Sequence, residues 1–139
     1  MAHVESIHLA AAHGDEPTPV ASARAVAGGG FDGDRHGDDI TLIEAEALEE
    51  LARDHDIEIG PGVSRRQVTT RGIDLNALIG ERFRVGEVEC VGVELCEPCR
   101  RLEGYTQPGV IRALVHRAGI NADVVKSGEI APGDPISRC

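Results

Sequence analysis

Aromatic side chains are nearly missing from this 139-residue chain, which has no Trp and only Tyr105, Phe31 and Phe83. Its core must therefore be built from Val, Ile, Leu and Ala. Positive charge is also short, with 14 basic against 24 acidic residues and a formal charge of −10. Sequence-independent binding to nucleic acid draws its affinity from a basic surface that displaces counterions, so nucleic acid and anionic membrane are excluded as partners. Lysine is almost absent: Lys126 stands alone beside 13 Arg. That bias suits forked recognition of a small anion, and it suits a compositional habit of the source equally well. No apolar run approaches the roughly eighteen residues of a membrane span. The start, MAHVESIHLAAAHGD, lacks a basic segment followed by an apolar block, which points to a cytoplasmic location. Without a secretion signal, Cys90, Cys96, Cys99 and Cys139 read as thiols rather than as a disulfide framework.

What is present is ordinary for a globular protein, with 41% hydrophobic and 27% charged residues. The length suits one domain spanning residues 1–139, enough to bury roughly two thirds of the unfolded surface. HVESIHLAAA alternates loosely and predicts an edge strand, and VASARAVA predicts another. GGGFDGDRHGDD is too polar and glycine-rich for a buried element and predicts a mobile functional loop. TLIEAEALEELARDHD has the helical period through Leu48, Leu51, Ala52 and His55, with Thr41 and Glu44 as a T-x-x-E capping box. QVTTR predicts a strand, and RGIDLNALIG a turn anchored by Leu75, Leu78 and Ile79. RFRVGEVECVGVELC predicts two antiparallel strands turning at Gly86. QPGVIRALVHRAGI predicts a helix of about three turns stopped by Gly119, and ADVVKSGEIAPGDPI a strand, a Pro-Gly turn and a last strand. Strands dominate without regular alternation with helices, so the expected fold class is mostly β, a small barrel with two or so packed short helices.

Three stretches carry chemistry. In ELCEPCRRLE, Cys96 and Cys99 stand three apart ahead of Arg100 and Arg101. Such a pair serves as half of a zinc site, as a redox dithiol, as one working thiolate with a neighbour, or as buried small hydrophobes. Cationic neighbours favour the thiolate, the form that ligates a soft metal or accepts sulfur. The second, SRRQVTTRGIDLN, gathers Arg65, Arg66 and Arg71 with hydroxyls and glycines, the donors that a phosphate pocket needs; arginines paired to carboxylates on an exposed strand read equally well. In the third, GGGFDGDRHGDD, Asp32, Asp34, His36, Asp38 and Asp39 have a spacing that could ligate a hard cation, and His36 reads rather as a polar pocket residue. Their loop lacks the closing glutamate of an EF-hand. No P-loop, GxGxxG, GxSxG or HExxH occurs.

In order, GDRHGDDITLIEAEALEEL, PGVSRRQVTTRGIDLNALIGERFRVGEV, LCEPCRRLE and GVIRALVHRAGINADVVKSGEIAPGD resemble the MOSC domain, the module named after the C-terminal part of molybdenum-cofactor sulfurases. The match runs from about Gly33 to Asp134 and favours the small stand-alone prokaryotic members. It implies a fold built around a β-barrel. It also implies a role in binding the molybdenum cofactor, a pyranopterin dithiolene with a phosphate, or in carrying activated sulfur to it. By the resemblance, Cys99 of the PC dipeptide is the sulfur acceptor or molybdenum ligand, and Cys96 is the less general second thiol. Arg65 and Arg66 would meet the cofactor's anionic groups, with Gln67, Asp34 and His36 beside them. The GIDLN turn contributes Gly72, Asp74 and Asn76. Two places depart from the family pattern: Gln67 stands where asparagine is common, and Asp39 where glutamine is common. The implied partners are a cofactor-dependent enzyme, a sulfur donor or a reductase, since related domains reduce N-hydroxylated compounds. The rival reading is a non-catalytic β-barrel with a structural CxxC, zinc-bound or not. The motifs do not separate enzyme from carrier.

Overall fold

The computed structural model describes residues 2–12, 14–60, 62–97 and 109–139. The elements are β1 (His3–Leu9), β2 (Thr18–Pro19), β3 (Ala23–Ala25), β4 (Ile40–Glu44), α1 (Ala45–His55), β5 (Val68–Arg71), a 3₁₀ helix (Leu75–Leu78), β6 (Arg82–Val85), β7 (Val88–Leu95), α2 (Val110–Leu114), β8 (Ile120–Lys126), β9 (Gly128–Ile130) and β10 (Ile136–Arg138). Eight strands form one sheet in the order β10-β6-β7-β8-β4-β5-β1-β2, and β3 pairs with β9 separately. Adjacent strands are antiparallel except β4 and β5, which run parallel with α1 in the connection between them. A parallel pair needs such a crossover, because a tight turn cannot return the chain to the same direction.

The fold is mostly β with two helices, as the sequence predicts, but the sheet is not a closed barrel among the described residues. It curls until β1 meets the turn ahead of β10. His3 bridges Pro135, Val4 N donates to Asp134 O at 2.9 Å, and Gly133 N donates to Val4 O at 2.7 Å. Ile136 N donates to Ala2 O at 3.1 Å on the other side of the bridge, and among the described residues the contact extends no further into a ladder.

Two apolar clusters hold the molecule together. The larger lies inside the curled sheet and includes Val4, Ile7, Leu42, Val68, Phe83 and Ile120. The smaller joins Ile43 on the outer face of β4 to Leu48 and Leu51 of α1 and Leu114 of α2. Strand alternation explains this: Ile40 and Leu42 face one way and Ile43 the other, so β4 is buried on both faces. Each fully buried leucine or isoleucine contributes about 2 kcal/mol.

Two sequence expectations are overturned here. Residues 41–44, expected to open the first helix, lie in strand β4 (Ile40–Glu44). Glu44 is the N-cap of α1 without a side-chain cap bond, and Thr41 takes no part in a capping box. Pairing with β5 and β8 on either side outweighs a cap worth about 1 kcal/mol. The second helix spans five described residues, not three turns. At Val115 the backbone turns extended, and Val115 is exposed rather than on the apolar face.

Candidate functional site

Strand β7 ends at Leu95 and delivers Cys96 and Glu97 to one edge of the sheet. Cys99, Arg100 and Arg101, the core of the thiol motif, fall in 98–108, outside the described residues. What the structure defines is the ground on which that segment stands.

Cys96 is fixed on three sides. Its amide donates to Gly119 O at 2.8 Å and its thiol to Asn121 Oδ1 at 2.7 Å, while its carbonyl accepts Arg66 Nη2 at 3.2 Å. Burial pushes its pKa up to about 11; nearby Arg66 opposes that rise, and Asp39 and Glu94 add to it. Cys96 is therefore a thiol near neutral pH. Asn121 is oriented by Asp39, whose Oδ2 accepts its Nδ2 at 3.1 Å, and Asp39 Oδ1 is in turn bonded to His36 Nε2. With its amide nitrogen committed to Asp39, Asn121 presents its oxygen to the thiol.

Arg66 spans the neighbouring strands, with Nε donating to Ala118 O at 2.8 Å as well as Nη2 to Cys96 O. Among the described residues these bonds engage two of the five guanidinium N–H groups. Gln67, 3% exposed, forms the other arm of the site. Its Oε1 accepts Thr41 N at 2.9 Å and its Nε2 donates to Asp34 Oδ2 at 2.7 Å, while its own amide donates to Thr41 Oγ1 at 2.9 Å. Asp34 has a fully buried side chain that also accepts from Ala10 N at 2.7 Å and His36 N at 3.0 Å. Its carboxylate is thus consumed in pinning the 33–39 loop to β1 and β5. The sequence predicts pocket roles for Asp34 and His36, and the structure brings both into the network with Gln67, Asp39, Asn121 and Cys96.

Arg65 goes elsewhere. It sits at φ 66, a left-handed conformation uncommon outside glycine, and lines a separate cavity of about 220 Å³ with Glu16 and Val63. Consecutive arginines therefore serve different surfaces. Arg71 leaves the cluster altogether, paired to Glu5 at 2.6 Å and Glu49 at 2.8 Å. The GIDLN turn supports the site from beneath. Gly72 N donates to Glu46 Oε2 at 2.7 Å, and Leu75 N to Glu44 Oε2 at 3.0 Å. Burial raises the pKa of Glu44, with the Leu75 bond and Arg117 opposing. Asp74 is the N-cap of the 3₁₀ helix but makes no side-chain cap bond. Asn76 Nδ2 donates to His116 O at 2.8 Å, and His116 Nδ1 pairs with Glu97 at 2.8 Å, tying the turn to the base of the cysteine segment.

Sequence reasoning missed Asn121 and Thr41. The one clue to Asn121 was that asparagine is disfavoured within strands; the unbroken alternation Ile120, Ala122, Val124 only places it on the opposite face. Among the described residues no group of three or more His, Cys, Asp or Glu side chains is placed to hold a metal ion. No described helix is long and apolar enough to cross a membrane.

The fold has close counterparts among solved structures. YuaD from Bacillus subtilis is 19% identical, with a TM-score of 0.84 over 98% of this chain and 94% of that one. YiiM from Geobacillus stearothermophilus is 16% identical with a TM-score of 0.82, covering all of this chain and 75% of that one. YiiM from Escherichia coli is 17% identical with a TM-score of 0.72, covering all of this chain and 70% of that one. Comparison with curated proteins returns no match. The sequence itself is decisive: the family model described as the MOSC domain matches residues 32–137, the stretch that carries the arginines, the network and the cysteine segment, and the chain belongs to the MOSC domain family.

Proposed function

We propose that this protein binds the molybdenum cofactor, or carries activated sulfur to it, with Cys99 as the working thiolate and Arg66 as the anion contact. The observation that supports this most directly is the position of Arg66. It is held by Ala118 O and Cys96 O at the foot of the cysteine segment, with two of its five N–H groups engaged among the described residues. A guanidinium fixed in this way fits a phosphate or dithiolene group without having to be reorganised. The nearby carboxylates do not oppose an anion as strongly as their number suggests, because Asp34 and Asp39 are occupied by protein donors.

When bound, the molybdenum cofactor supplies redox chemistry at a metal that favours sulfur ligands. The chain's own residues have separate tasks. Arg66 offsets the negative charge, while Gly72, Asp74 and Asn76 belong to the turn that supports the site and Arg65 lines the separate cavity with Glu16 and Val63. Asp34, His36 and Gln67 hold the loop beside β5. Cys96, kept as a thiol by burial, donates to Asn121. In the carrier form of the reading, Cys99 thiolate attacks the outer sulfur of a donor persulfide. One S–S bond forms as the other breaks, and the donor leaves as its thiolate. Partners are then a sulfur donor or reductase on one side and a cofactor-dependent enzyme on the other.

The test is elemental analysis together with cyanide-releasable sulfane sulfur, on protein purified from a host that makes the cofactor. Molybdenum or sulfane sulfur present in the wild type and lost in Cys99→Ser, with the fold intact, is the expected result. Equal loading of the variant, neither species in the wild type, or zinc near one per chain would overturn the proposal.

A further inference from the structure

A second cavity of about 320 Å³ lies between α1 and the β1–β5 pair. Its size is at the lower end of small-molecule sites. Leu48 and Ala52 of α1 and Ile59 of the following loop give it an apolar wall. Thr69 and Arg71, two apart on β5, both line it, as residues on one face of a strand must. Thr69 is fully buried there, and its Oγ1 has no hydrogen-bond partner among the described residues. A buried hydroxyl without a partner bears its desolvation cost with nothing to offset it, so this one points to a polar group supplied by a ligand.

The charges of the cavity define that group. Arg71 is its one basic lining residue and makes four hydrogen bonds to carboxylates, the longest from Nη2 to Glu5 Oε2 at 3.4 Å. Nε donates to Glu5 Oε1 at 2.6 Å, Nη1 to Glu49 Oε1 at 3.2 Å, and Nη2 to Glu49 Oε2 at 2.8 Å. Two carboxylates against one guanidinium leave a negative excess. Glu58 at the rim adds a third carboxylate, with no ion pair among the described residues. An anion is repelled here. A bare metal ion would leave the apolar wall unused, and the described residues contain no metal-holding group. The complementary ligand is a cation with an aliphatic body.

We propose that this cleft is a binding site for a small primary ammonium compound, with its charged end held by the carboxylate rim and Thr69 Oγ1 and its aliphatic body against Leu48, Ala52 and Ile59. The site is separate from the cysteine segment, since none of its lining residues belongs to the Gln67 network.

The probe is pentylammonium chloride, titrated into the ¹⁵N-labelled full chain, with pentanoate and 1-pentanol as controls of matching length. Saturable shifts of the Leu48, Gly60 and Arg71 amides are expected with pentylammonium, with pentanoate binding at least about tenfold more weakly. Glu58→Gln and Thr69→Val should each weaken binding by about threefold. Thr69→Val removes an unpaired hydroxyl without changing shape, so it should fold as well as the wild type; a urea titration verifies this. Non-saturable shifts, equal binding of pentanoate or pentanol, or unchanged affinity in both variants would overturn the proposal.

Discussion

Replacing Gln67 with glutamate tests the polar network at its centre. In the wild type, Gln67 Nε2 donates to Asp34 Oδ2 at 2.7 Å in a site where Gln67 is 3% exposed and the Asp34 side chain is fully buried. Glutamate keeps the acceptor for Thr41 but sets a carboxylate oxygen against Asp34. With an effective dielectric of about 20, two charges at that spacing repel by roughly 6 kcal/mol, so the folded variant holds a proton between them. The unfolded chain releases that proton above about pH 4.3.

Because the folded variant then binds more protons than the unfolded one, its stability falls as pH rises, by about 1.4 kcal/mol per unit. Relative to wild type, Gln67→Glu should lose roughly 2–3 kcal/mol between pH 5 and pH 7, a large part of the stability of a domain this size. Urea unfolding followed by far-UV circular dichroism is the suitable assay, since the chain has no Trp to report by fluorescence. Gln67→Leu is the control: it leaves Thr41 N–H without an acceptor and should cost about 2–4 kcal/mol at every pH. A difference between wild type and Gln67→Glu that is the same at pH 5 and pH 7 would refute the reasoning, because the introduced carboxylate would then not face Asp34.

Gly119 lies at φ 97, and a Cβ there would collide with the carbonyl of Leu42. Gly119→Ala should cost about 3 kcal/mol or more and lower Tm by about 10 °C, and a Tm within a few degrees of wild type would contradict the packing. Cys90 is fully buried, and desolvation pushes its pKa up to about 12, with Cys139 adding to the rise. Its contribution is complete below the unfolded thiol pKa near 8.5 and is lost as pH climbs toward 12. Melts between pH 8 and pH 10.5 should therefore show a steeper alkaline loss for wild type than for Cys90→Ala, and parallel profiles would disprove this. Cys96→Ala should keep most of the molybdenum or sulfane-sulfur loading that Cys99→Ser abolishes. Equal loss in both variants, measured by elemental analysis and cyanolysis, would assign the two thiols a joint role.

Much of the fold is legible in the sequence because strand alternation is a local signal. The β6–β7 hairpin around Gly86 and the last strand β10 follow directly from it, whereas the single strand expected over ADVVKSGEI divides at Ser127 into β8 and β9, which pair in different sheets. The start of α1 does not follow from it either, because Thr41 and Glu44 carry a capping signature and only the long-range ladders to β5 and β8 make residues 40–44 a strand. The open seam is equally non-local, resting on where His3 meets Pro135. In the site, the arginine pair is visible as composition, but its divergence depends on one left-handed residue, Arg65, that no periodicity announces. Arg71 reads as a third member of the cluster until the fold brings in its partners Glu5 and Glu49 from 66 and 22 residues away.

The arrangement also defines the state of Cys96, the first thiol in CEPC. A thiol buried against Asn121, with Asp39 and Glu94 opposing its ionisation, is a poor nucleophile, and Arg66 alone does not reverse that. Arg66 is instead fastened to carbonyl groups, so its charge is delivered to the foot of the segment that follows rather than neutralised by a carboxylate. Net charge is therefore a poor guide to this site. A molecule at −10 keeps here a cation whose partners among the described residues are uncharged, while Asp34 and Asp39 are held by amides together with Arg35 and His36. That fixed guanidinium is the local positive charge on which the proposed anion contact rests.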